Sequence, residues 1–69
     1  MASDKVIVYT TNNAVEAEMV HQQLSNHAIT SFIVNKQDSS YLFGEIEVHV
    51  DRDDFIRAKK IIEDYFGNE

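Results

Sequence analysis

Glu45-Ile46-Glu47-Val48-His49-Val50 alternates polar and apolar side chains without a break. That period of two marks a strand with one buried and one open face. The pattern places Ile46, Val48 and Val50 toward a core, and Glu45, Glu47 and His49 away from it. A strand so patterned suits the middle of a small antiparallel sheet with one wet side. The remaining chain is read outward from it.

Val6-Ile7-Val8-Tyr9 is a short β-branched run and reads as a first strand. Strict alternation sets Val6 and Val8 on one face, and Lys5, Ile7 and Tyr9 on the other. Asn13, with Glu16 three residues on, is an N-x-x-E variant of the capping box. The helix it opens carries an apolar stripe at Ala17, Val20, Leu24 and Ala28. Thr30 to Asn35 reads as a second strand, with Phe32 and Val34 pointing one way and Ser31, Ile33 and Asn35 the other. Lys36 to Ser40 is a polar loop. Tyr41-Leu42-Phe43-Gly44 extends the third strand backward, which puts Tyr41 and Phe43 beside Glu45 on the open face. Gly44 then takes an inward position, as a bulge or a close backbone approach. Asp51, Asp53 and Asp54 open a last helix, one of them as its cap. Its buried stripe is Phe55, Ala58, Ile62 and Phe66, flanked by Ile61 and Tyr65, and Gly67 stops it.

The order is β-α-β-β-α, with one apolar stripe per helix. Both helices can therefore cover the same sheet face. A right-handed crossover makes the first two strands parallel, and the third fits between them. The expected architecture is α+β: a ferredoxin-like split βαβ with sheet order 1-3-2, two helices on one face, and no fourth strand beside the first.

Length and composition bound the function. Sixty-nine residues make one domain, of a size that buries only about 60% of its unfolded surface. With no Cys, disulfides, thiolate metal sites and thiol chemistry are excluded, and self-association is the expected supplement to a small core. Twelve acidic against six basic side chains give a formal charge of −6, which repels phosphate backbones. Nucleic acid is not expected as a partner. The first residues show no secretory signal, and no apolar run approaches the ~20 residues of a membrane span. The expected location is the cytoplasm.

The order and spacing of several weak motifs now matter together. Val8-Tyr9-Thr10-Thr11-x-Asn13, Glu16-Ala17-Glu18-x-Val20, Leu24, Ile29 and Val48-x-Val50 run over nearly the whole chain. They resemble a family of short prokaryotic proteins catalogued as a domain of unknown function and described as signal-transducing. The resemblance implies a ferredoxin-like fold grouped near the PII-type signalling proteins. It implies no catalytic residue and no cofactor. Ala28 stands where that pattern usually has Gly, and Ala14 where Pro is common.

Candidate chemistry is sparse. His49 and Glu47 share a strand face and could reach one metal ion, but His21 and His27 fall on the opposite side of the sheet, so a three-ligand site is hard to build and none is expected. Glu45 and Glu47 are paired carboxylates with nothing to enclose them, as acid–base work would need. Thr10 to Asn13 precedes a helix N-terminus, yet lacks Gly and carries Glu16 nearby, so capping explains it. The expected interaction surface is the open face: Ile7, Tyr9, Ile33, Tyr41 and Phe43 around Glu47 and His49. The leading expectation is a non-enzymatic interaction or regulatory module that self-associates along the first strand's edge and offers a surface to a protein partner. The alternative is a small-ligand sensor, with a metabolite or nucleotide in a cleft between the Lys36–Phe43 loop and a neighbouring subunit.

Overall fold

The computed structural model describes residues 4–36 and 45–67. The expectations for Tyr41 to Gly44 fall outside the described residues. The strands are β1 (Lys5–Thr11), β2 (Ser31–Asn35) and β3 (Ile46–Asp51); the helices are α1 (Ala14–Asn26) and α2 (Phe55–Tyr65), the latter entered through a 3-10 turn at Arg52–Asp54. The sheet order is β1-β3-β2, with both outer strands antiparallel to the central one. Both helices pack on the sheet and on each other.

One cluster holds these layers together. Val8, Ile46, Val48 and Val50 from the sheet meet Ala17, Val20, Leu24 and Ile29 from the α1 segment and Ala58 and Ile62 from α2. All of these but Val8 and Ile62 are under 2% exposed. The helices therefore share one side of the sheet. The reverse side carries exposed Ile7, Phe32 and Val34. No helix is long and apolar enough to cross a membrane among the described residues.

Two phase corrections follow from the strand register. β1 skips a residue against β3: Ile7 lies opposite His49, but Tyr9, not Val8, lies opposite Val48. The irregularity at Val8 flips everything after it, as one extra residue in a strand must. Tyr9 thus leaves the open face and packs against the core. In β2, Ile33 lies opposite buried Val48, whereas Phe32 and Val34 lie opposite His49 and Glu47. Ile33 therefore faces the helices, and Phe32 and Val34 face out. The cause is Ser31, which is 5% exposed because His21 on α1 sits 2.5 Å from its hydroxyl. A buried hydroxyl with a partner costs little, so a polar residue occupies an inward position.

The helix ends also depart from expectation in detail. Asn13 caps α1 as its type dictates, its Oδ1 accepting from the backbone N–H groups of Val15 (2.9 Å) and Glu16 (3.2 Å). Glu16 does not return to the Asn13 amide. The Thr11 hydroxyl intervenes, accepting from Asn13 N–H at 3.1 Å and donating to Glu16 at 2.5 Å. At the other end Ala28 is not part of the buried stripe. It is exposed, at φ 63°. Its N–H reaches the Ser25 carbonyl and that of Ile29 the Leu24 carbonyl, the two bonds of a Schellman stop. An alanine there costs about 1–2 kcal/mol that glycine would not, and the burial of Ile29 against Leu24 offsets it. No aspartate caps α2 through its side chain; Asp54 instead accepts from Arg57 at 3.0 Å. Gly67 ends the helix at φ 67° as expected. Phe66, placed in the buried stripe by its spacing, is 43% exposed.

Candidate interaction surface

The open face is built in rungs across β3. Ile7, His49 and Phe32 form one, and Thr10, Glu47 and Val34 the next. Apolar or weakly polar side chains therefore flank a charged spine. That flanking leaves Glu47 only 9% exposed. Its carboxylate is matched on both oxygens, by His49 Nε2 at 2.9 Å and Lys36 Nζ at 3.6 Å. At one end Lys5 lies 3.3 Å from Asp51 and 5.0 Å above the Phe32 ring, a cross-strand ion pair resting on an aromatic face.

Of the residues expected on this face, Ile7, Glu47 and His49 are there. Tyr9 and Ile33 are on the other side, for the reasons given above. Tyr41 and Phe43 lie outside the described residues. Phe32 and Val34 take their place, and sequence alternation missed them because Phe32-Ile33-Val34 offers no polar contrast to set a phase. The signal that could have found them was Ser31 taken as a buried hydroxyl.

The hydrogen bond from His49 and the charge on Lys36 hold Glu47 below the usual carboxylate range, against the opposing effect of desolvation. General acid–base chemistry needs the reverse shift. Because the folded chain binds this proton less readily than the unfolded one, the group's contribution to stability is present above about pH 4–5. It fades as pH falls through the lowered folded value. Denaturation midpoints of Glu47→Gln against the parent should differ at neutral pH and converge in acid. A gap that stays constant between neutrality and about pH 3 would show that the carboxylate is not linked in this way.

A second surface flanks the outer edge of β1, the side away from β3, where no strand pairs with it among the described residues. There α2 packs against the strand, and two open grooves between them make up a trough. Val6, Arg52, Phe55 and Ile56 line one end. An open groove of about 350 Å³ lined by Val8, Tyr9, Lys59, Ile62, Glu63 and Phe66 forms the other. Tyr9 stacks on Phe66, centroids 5.5 Å apart and planes 12° from parallel. Burial first, then the hydrogen bond and charge of Glu16, push the Tyr9 hydroxyl above its ordinary pKa. Tyr9 therefore ties β1 to both helices and is a structural residue as much as a surface one. Ile56 at 77% and Phe66 at 43% remain exposed along this trough.

Neither surface assembles a reaction centre from the described residues, and no three of their His, Asp and Glu side chains come close enough to hold a metal. The model of one protein family, described as "putative prokaryotic signal transducing protein", matches residues 5–65. The chain belongs to this family. The family description names a role in signalling and no reaction. No curated protein and no solved structure matches the chain.

Proposed function

We infer that this member of the family is a non-enzymatic regulatory module, of ferredoxin-like topology, that works in the prokaryotic cytoplasm by self-association and by docking to a protein partner. The observation that carries the reading is the uncovered trough beside β1. Ile56 at 77% and Phe66 at 43% exposure sit over an edge strand, the arrangement a second polypeptide completes. The lowered pKa of Glu47 supports the non-enzymatic part, since it tunes the most buried carboxylate among the described residues away from proton transfer near neutrality. A protein partner would meet the open face, where Ile7, Phe32 and Val34 frame Glu47 and His49. Sedimentation velocity from micromolar to millimolar concentration tests the self-association. A dimer is the expected species; a monomer throughout that range would remove this part of the reading.

A further inference from the structure

Helix α2 and its C-terminal cap Phe66 carry an exposed stripe, whose contact with the rest of the fold is the stacking of Phe66 on Tyr9. Ile56, Lys59, Glu63 and Phe66 follow one another at spacings of three, four and three residues, which keeps them on one helix face. All four are exposed. The face lies over β1: Ile56 shares its end of the trough with Val6, and Lys59, Glu63 and Phe66 share the other with Val8 and Tyr9. Lys59 and Glu63 make no ion pair with any described residue. For a chain with only six basic side chains against twelve acidic ones, an uncommitted lysine between the exposed Ile56 and the partly exposed Phe66 is out of character for an inert surface.

The stripe is its own complement. Turn a second copy of α2 antiparallel, and Ile56 meets Phe66 of the other copy while Lys59 meets Glu63. Both pairs have Ile61 as their midpoint, so one two-fold axis serves both and each contact occurs twice. That is the condition for an isologous interface. The charge order of the helix enforces the direction. Arg57, Lys59 and Lys60 lie in its first half and Glu63 and Asp64 in its second, so a parallel pairing would oppose like charges.

We propose that the chain forms a two-fold dimer in which the α2 helices lie antiparallel, with Ile56 packed on Phe66 and Lys59 paired with Glu63 of the second copy. This rests on the self-association reading above and names its surface. The irregularity at Val8 blunts the edge of β1 for continuous strand pairing, as edge bulges do. The helix stripe, not a long strand–strand ladder, is therefore the main contact.

Charge exchange tests the proposal on the full chain. Lys59→Glu alone sets two acids against each other across the axis, and Glu63→Lys alone two bases. Each single variant is expected to weaken the dimer by roughly tenfold or more. The double variant Lys59→Glu/Glu63→Lys restores it, and a mixture of the two single variants forms a one-to-one heterodimer. Ile56→Asp is expected to give a monomer with unchanged circular dichroism, since that side chain holds nothing in its own chain. If the wild type dimerises but the single charge variants do so equally well, and Phe32→Lys on the open face is the change that dissociates it, the α2 assignment is wrong and self-association stands. If the wild type is monomeric at every concentration, both fail.

Discussion

Leu24→Ala is expected to lower the unfolding free energy by about 3–4 kcal/mol, within the range for truncating a buried leucine. Leu24 is 0% exposed and acts twice. Its side chain sits among Val20, Ile29 and the inward valines of β3 in the one buried cluster. Its carbonyl accepts from Ile29 N–H at 2.9 Å to close the stop of α1. The truncation leaves the carbonyl in place but removes the apolar contact that holds Ile29 over it, and with that contact goes the offset for Ala28 in a left-handed conformation. At roughly 0.05–0.15 kcal/mol per residue, the whole domain has about 3–10 kcal/mol to lose. The variant should therefore be largely unfolded by mild heating, with the midpoint falling by more than 10 °C at about 4–8 °C per kcal/mol. Met19→Ala, on the same helix but 41% exposed, should shift stability by no more than about 0.5 kcal/mol. Equal losses at the two positions, read from urea titration, would mean that α1 does not present the face described.

Contrast decides what the sequence reveals. β3 alternates charged and aliphatic side chains, so its phase, its central place and the order β1-β3-β2 were legible from it. Asn13 before α1 and Gly67 after α2 were legible because few residue types meet those backbone demands. Val6 to Tyr9 of β1 and the middle of β2 are apolar at every position, so each face looks as buriable as the other. Nothing in Val6-Ile7-Val8-Tyr9 marks the extra residue; no glycine signals a bulge there. Only the pairing with β3 shows that Tyr9 turns inward, to the Glu16 carboxylate and the Phe66 ring. The open face was therefore legible, but Tyr9 and Ile33 were assigned to it in place of Phe32 and Val34. The stripe on α2 was overlooked for a related reason. Phe66 fits the buried spacing of Phe55, Ala58 and Ile62, and spacing alone does not say that its ring ends on the flank.

Ser31 is where a hidden partner overrides pattern, and it yields the second large effect. His21→Ala is expected to cost about 1–3 kcal/mol, the penalty for a buried hydroxyl left without a partner. Ser31 is 5% exposed and His21 Nδ1 lies 2.5 Å from its Oγ, so either tautomer of the ring satisfies the hydroxyl. The reverse change, Ser31→Ala, should cost less. It removes the group that needs a partner, and the half-buried imidazole can turn to water. The sign of the double variant is the informative quantity: adding Ser31→Ala to His21→Ala should raise stability above that of His21→Ala alone. A coupling of this sign places the two side chains in one interaction. Strictly additive losses would mean that His21 acts only by packing. The pair also fixes which side of β2 is inward, and so which side shows Phe32 and Val34 to a partner. With the hydroxyl orphaned, the strand loses a reason to keep that phase. The exchange protection of the β2 amides should then fall by more than that of β1, whose phase is held by Tyr9 and Val8.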